Sequence, residues 1–333
     1  ERGERRMGRE DEGHSWEGSV ASPRSTSHRV GMASCIDSLA LRLALFLFRP
    51  LLLLLRLLQS LLLDREEDQR ETEDARPLLF FESSGLFLPY YIGVAEYLVH
   101  HYNLDRALCA GVSGGYAGAA SIALGVSAEM HWEAIASMAM LAKRRALGSF
   151  FLSSRDMIHS GYLPILKRNH AAYLALRERL SRGHFWLGAT AIWPRPASSV
   201  WAGADDMSSA KALCHAATCS MRVLPIFRKP GLLKQSLVCD GFLACRPACL
   251  RRHLRVNRGI HDIGHTITIS AIPSKTAVIS PSTLLGGLSD VVCLPSRQNF
   301  DSWRARGRAD AAAAAERGVF DRAGLQRKKP TAN

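Results

Sequence analysis

Gly111-Val112-Ser113-Gly114-Gly115 sets one hydroxyl between glycines at the end of the apolar run Leu108 to Val112. A G-x-S-x-G spacing suits a strand that turns sharply into a helix and holds its serine in a strained, exposed pose, where it can attack an acyl carbon. The glycine flanks matter because a Cβ would crowd the turn and because the backbone must come close to a substrate there. A helix expected from Gly114 to Leu124 would aim its N-terminal N–H groups at the serine and stabilise negative charge developing beside it. A serine nucleophile also needs a base. Far downstream, Ser236-Leu237-Val238-Cys239-Asp240-Gly241 reads as a buried strand ending in a carboxylate, next to a glycine that lets the chain turn away. An ordinary Asp-Gly turn is the competing reading of the same two residues.

A third segment lies upstream. Pro77-Leu78-Leu79-Phe80-Phe81 is strand-like, Glu82-Ser83-Ser84-Gly85-Leu86-Phe87-Leu88-Pro89 is a loop of largely small residues, and Tyr90 to Val99 has an apolar helical pattern. A strand-to-helix loop of this kind can leave backbone N–H groups free to donate to an oxyanion.

Together the three sites resemble those of the patatin-like phospholipases, a family of lipid acyl hydrolases. The resemblance runs from Pro77 to Ser282, and further segments carry it in the same order. Gly93-Val94-Ala95-Glu96-Tyr97-Leu98 is similar to the family's first helix. Leu176-Arg177-Glu178-Arg179-Leu180 leading to Trp186-Leu187-Gly188-Ala189-Thr190-Ala191 is similar to its middle helix and threonine-ending strand. Ala212 to Ser220, then Leu224-Pro225-Ile226-Phe227, is similar to its helix and proline turn ahead of the aspartate.

What the resemblance implies is an α/β fold, a three-layer α/β/α domain with a central, mostly parallel sheet. It also implies a serine–aspartate dyad that cleaves carboxylic ester bonds of glycerolipids, of the triacylglycerol lipase or phospholipase A type, with no metal or organic cofactor. Ser113 would attack the carbonyl and Asp240 would take its proton. Gly85, with the N–H groups of Ser84, Leu86 and Gly114, would bind the oxyanion, and Gly111, Gly115 and Gly241 would support the two turns. This chain departs from the family in two places. The family loop carries several glycines, whereas here only Gly85 stands clearly, with Ser83, Ser84 and Leu88 at other places. Phe242 follows Asp240-Gly241 where the family has Gly or Ala. Losing one oxyanion donor would cost about 10²–10³ in rate.

Two other readings stay open. His253, His261 and His265 follow Asp240, so a Ser–Asp–His α/β-hydrolase triad in chain order is available. The reduced loop also suits a catalytically silent lipid-binding or scaffolding protein.

The elements that must position these residues follow from the wider pattern. The 333 residues, 47% of them hydrophobic, can bury a sizeable core. Strand-like runs near Leu79, Cys109, Gly188, Val238 and Ile267 alternate with helical stretches, which predicts layered α/β architecture. His265 to Ala271 is the clearest alternating strand and is placed in the sheet beyond Asp240. The catalytic domain is expected over 77–290. Residues 1–34 mix charges with Ser and Gly and are expected to be disordered. Met7 and Met32 are candidate starts, and neither is followed by a clear secretory signal.

Residues 35–63 are expected to associate with a membrane. Leu39 to Leu63 is leucine-rich and long enough to span a bilayer, but Arg42, Arg49, Arg56 and Gln59 fall on one narrow stripe. Each arginine near the centre of a span would cost about 2.5–3.5 kcal/mol, so a helix lying in the interface of a membrane or lipid droplet is favoured, with Pro50 as a kink. A true span and packing of this helix on the catalytic domain are the alternatives. An acidic linker, 64–76, follows. Residues 291–333 form a basic tail, expected to be a loose helix or disordered from Ser302 onward.

The formal charge of +13 lies largely downstream of that linker, at Lys143-Arg144-Arg145, Lys167-Arg168, Arg251-Arg252-His253-Leu254-Arg255 and the tail. No nucleic-acid module accompanies it, so anionic lipid headgroups are the expected partner alongside a glycerolipid substrate. Cys214/Cys219 and Cys239/Cys245/Cys249 lack paired C-x-x-C spacing, so no metal site is expected, and Cys109, Cys214 and Cys239 read as small core residues. Reduced thiols point to an intracellular setting.

Overall fold

The computed structural model describes residues 75–144, 161–168, 170–223, 230–287, 290 and 294–329. The N-terminal segment, the leucine-rich segment, the acidic linker through residue 74 and the Leu224–Phe227 turn lie outside the described residues, and Arg76, expected to end the linker, begins the first strand.

Along the chain come β1 (Arg76–Phe81), α1 (Leu88–His101), β2 (Tyr102–Asn103), β3 (Leu108–Val112), α2 (Tyr116–Ala123), α3 (Ala128–Arg144), α4 (Tyr162–Arg168), α5 (His170–Ser181), β4 (Phe185–Trp193) and β5 (Ser199–Ala202). They are followed by α6 (Ala210–Ser220), β6 (Gly231–Leu233), β7 (Ser236–Asp240), α7 (Pro247–Arg258), β8 (Ile263–Ile269), α8 (Arg297–Glu316), α9 (Val319–Arg322) and β9 (Gln326–Arg327). The main sheet has the order β6-β7-β4-β3-β1-β8, with β5 paired to β4. Strands β8, β1, β3 and β4 run parallel, while β5, β7 and β6 join antiparallel at the β4 side. β8 therefore closes the sheet beside β1, at the edge opposite β6.

The parallel strands β1, β3 and β4 are buried on both faces up to Ala191, as a sheet covered by helices on each side requires, while the edge strand β8 leaves His265 exposed. Alternation sorts their side chains. Leu79, Phe81, Cys109, Phe185, Leu187 and Ala189 enter the core with α1, α2 and α6, while Leu78, Phe80, Leu108, Ala110, Val112 and Trp186 pack with Leu250 and Leu254 of α7. That is the expected α/β/α arrangement. Helix α7 shows how one apolar stripe suffices: Leu250 and Leu254, one turn apart, are fully buried while the rest of the helix is largely basic. It ends at Gly259, whose φ of 63° forms a left-handed cap.

The C-terminal tail departs from the expectation of a loose or disordered segment. Helix α8 runs for 20 residues and buries Phe300, Trp303, Gly307, Ala311, Ala314 and Ala315. Its contact with α1 is backbone to backbone. A Cβ on Gly93 would lie 1.9 Å from Arg304 O, and one on Gly307 would lie 2.0 Å from Tyr90 O. Arg304 pairs with Glu96 at 2.7 Å, and Tyr90 Oη donates to Asp310 at 3.0 Å. The stripe carries little hydropathy contrast because it is built mostly of Gly and Ala among arginines.

Candidate active site

Ser113 directly follows β3, every residue of which is buried, and begins a single 3₁₀ turn, Ser113–Gly115, that precedes α2. The regular helix thus starts at Tyr116, two residues later than expected. Ser113 holds φ at 53°, a left-handed value that costs a non-glycine residue free energy and persists only where neighbours enforce it. Two buried hydrogen bonds help to do so. The Ser113 N–H donates to Ser220 Oγ at 2.9 Å, and the Ser220 hydroxyl donates to Gly188 O at 2.7 Å, fastening the turn to α6 and β4. The flanking glycines are close-approach positions: a Cβ on Gly111 would lie 2.7 Å from Gly115 O, and one on Gly115 would lie 2.2 Å from Phe81 O.

Strand β4 brings Asp240 to the same edge. Val112 pairs with Gly188 on one side of β4, and Asp240 pairs with the next residue, Ala189, on the other. Gly241 tightens the junction, since a Cβ there would lie 2.4 Å from Gly188 O and 2.8 Å from Val112 Cγ1. Asp240 is 1% exposed. Its backbone N–H donates to Arg222 O at 2.8 Å, its Oδ1 accepts from the Phe242 N–H at 2.9 Å, and its Oδ2 has no hydrogen-bond partner. Burial pushes the carboxyl up to about 7, partly opposed by the Ser113 hydroxyl and the Phe242 N–H, both of which favour the charged form. The hydroxyl is thus near enough to act on the carboxyl, although no closed hydrogen bond joins the two side chains.

The loop after β1 packs on the serine turn. Ser84 is fully buried, and Gly85 takes φ of 59°. The loop presses on the serine turn, for a Cβ on Gly114 would lie 2.2 Å from Gly85 O and 2.5 Å from Ser84 Oγ. Among the described residues the N–H groups of Gly85 and Leu86 meet no acceptor. Tyr91, fully buried on α1, anchors the loop: its hydroxyl donates to Glu82 O at 2.7 Å and accepts from the Ala271 N–H at 3.0 Å. On the Asp240 side, the Ala244 N–H donates to Thr190 Oγ1 at 3.2 Å and holds the turn after the carboxylate. Local sequence gives no sign of the roles of Tyr91, Thr190 and Ser220, because their side chains reach partners remote in sequence.

The histidines are elsewhere. Phe81 pairs with both Gly111 and Ile269, so His265 stands six residues, roughly 20 Å, short of the level of Ser113, and His261 lies farther still. His253 sits on α7, its ring edge-on to Trp186 at 5.6 Å and its Nδ1 against Asn257. No described histidine hydrogen-bonds Ser113 or Asp240. Cys109, Cys214 and Cys239 are buried thiols, and burial pushes Cys214 up to about 12 and Cys239 up to about 11. Among the described residues no group of three or more His, Cys, Asp or Glu side chains could hold a metal ion, and no helix is long and apolar enough to cross a membrane.

No family model matches the chain, and no curated protein matches it in sequence. Two solved structures are similar in fold. VipD from Legionella pneumophila shares 10% identity at a TM-score of 0.39, covering 82% of this chain and 74% of VipD. The type III effector protein ExoU shares 13% identity at a TM-score of 0.33, covering 78% of this chain and 57% of ExoU. Likeness at this level carries no residue roles across. What the site can do rests on its own parts: a strained serine, a buried carboxyl with one unengaged oxygen, and backbone donors without acceptors.

Proposed function

We propose that this chain is a patatin-like lipid acyl hydrolase that cleaves glycerolipid esters through Ser113 and Asp240. The carrying observation is the buried Asp240 carboxyl. Its Oδ2 is unengaged, it is held near neutral pKa, and it responds to the hydroxyl of a left-handed serine at the adjoining strand end. A base near pH 7 suits proton transfer in both directions.

In this mechanism Asp240 Oδ2 takes the proton from Ser113 Oγ as that oxygen bonds to the acyl carbon. The carbonyl electrons move onto oxygen, where the Gly85, Leu86 and Gly114 N–H groups stabilise the oxyanion. Collapse breaks the ester C–O bond, and the departing glyceryl oxygen takes the proton back from Asp240. Water, giving its proton to Asp240, then attacks the acyl-enzyme and releases the fatty acid, with Ser113 reprotonated. No histidine is needed, which agrees with the positions of His253, His261 and His265. The same reading takes an intracellular membrane or lipid-droplet surface as the source of substrate.

An active-site fluorophosphonate probe, followed by a panel of labelled glycerolipids, tests the proposal. Wild type is expected to label and to release fatty acid, whereas Ser113→Ala does neither. Wild type that neither labels nor hydrolyses any ester returns the chain to the silent lipid-binding class. An indispensable histidine with a dispensable Asp240 would replace the dyad by a triad.

A further inference from the structure

Beyond the reacting groups, the same end of the sheet carries an apolar row that the catalytic reading leaves unused. Trp193 of β4 pairs with Leu237 of β7, and Leu237 pairs in turn with Leu232 of β6. Directly opposed residues in antiparallel strands point to the same face, so the three side chains stand in one line across three strands. None is covered. Trp193 is 61% exposed, Leu237 38% and Leu232 59%. Val238 and Leu233, which alternate with them, enter the core on the other face, so the row is not a misplaced piece of interior.

Its position is informative. Asp240 pairs with Ala189, and Leu237, three residues back along β7, pairs with Trp193 across a register shift after Ala191, about 10 Å further along the sheet. The row therefore projects beyond the Ser113–Asp240 edge. Its chemistry fits a lipid surface. Neither 190–200 nor 230–239 contains Asp or Glu, whereas Arg195 and Lys234 flank the row. Lys234 is paired with Asp206 at 2.8 Å, and Arg195 has no ion pair among the described residues. A tryptophan beside two leucines and a free cation matches the boundary between acyl chains and anionic headgroups.

We infer that the Trp193–Leu237–Leu232 row is an interfacial docking ridge, seated in an anionic lipid surface so that the Ser113 edge faces the acyl esters. This rests on the hydrolase reading only for what docking accomplishes; docking itself is measured separately.

The test uses the full chain carrying Ser113→Ala, which prevents hydrolysis, with vesicles of phosphatidylcholine and phosphatidylglycerol brominated in the acyl chains. Bromolipid is expected to quench a component of tryptophan emission that disappears in the additional variant Trp193→Phe. Leu232→Ser with Leu237→Ser should raise the vesicle concentration for half-maximal quenching of that component about tenfold. In the otherwise native chain this pair should leave hydrolysis of water-soluble p-nitrophenyl butyrate unchanged. Identical quenching with and without Trp193 overturns the inference. So does a lipid-free dimer that the double serine variant dissociates, or a lipid-free monomer in which acrylamide cannot reach Trp193, since another copy or another part of the chain would then cover the row. Loss of ester hydrolysis on Ser113→Ala in the native background tests the hydrolase reading alone.

Discussion

Asp240→Asn should make this protein less sensitive to pH in stability while removing its chemistry. The buried carboxyl titrates near 7 in the fold, against 3.8 for an ordinary aspartate. Between those values the folded chain holds a proton that the unfolded chain has released, so stability falls as pH rises from about 4 to about 7 and stays low above that. Three pH units at 1.36 kcal/mol each put the ceiling at about 4 kcal/mol. Asparagine keeps the shape and the acceptor for the Phe242 N–H, but places an amide where Oδ2 has no partner. That penalty, about 1–3 kcal/mol, does not vary with pH. Urea unfolding of both proteins at intervals from pH 4 to pH 9 isolates the effect, because other titrating groups cancel in the difference. The variant should gain on wild type by up to about 4 kcal/mol across this range, most of it before pH 7. Its kcat/KM on a soluble ester should fall by about 10²–10⁴, and the wild-type profile should lose activity below a pKa near 7. A stability difference that is flat from pH 4 to pH 9, or an acid limb near pH 4, would refute the argument that burial tunes this carboxyl.

Gly114→Ala places a methyl 2.2 Å from Gly85 O, so the loop must withdraw from the serine; kcat/KM should drop at least about 10²-fold while thermal unfolding stays cooperative. Ser220→Ala orphans the Ser113 N–H and Gly188 O together, and urea titration should show about 1–3 kcal/mol lost, with slower fluorophosphonate labelling of Ser113. Gly307→Ala forces the α1–α8 contact apart at Tyr90 O and should cost about 1–3 kcal/mol by chemical denaturation, with little change in kcat for a soluble ester.

Local chemistry was enough to single out Ser113 and Asp240 as candidates. A serine between glycines, or a carboxylate before a glycine at the end of an apolar run, declares a turn and a strand end within a few residues, because steric limits on φ and ψ act locally. Alternating strand and helix patterns likewise announced layered α/β architecture, since each period records which face of an element is buried; the three-layer arrangement came from the family resemblance. Other features depended on partners far along the chain. Ser220 reaches Ser113 across 107 positions, and Tyr91 reaches Ala271 across 180, so neither spacing carries a local signal. Helix α8 gives little signal in sequence because, past Phe300 and Trp303, its buried stripe is Gly and Ala, residues whose value lies in letting another backbone approach. Trp193, Leu237 and Leu232 look like ordinary strand apolars in sequence; strand register alone lines them up on an uncovered face. The dividing line is physical. Backbone sterics and side-chain periodicity are properties of neighbouring residues, whereas proximity, burial and the pKa shift that follows from burial exist only once distant segments pack together.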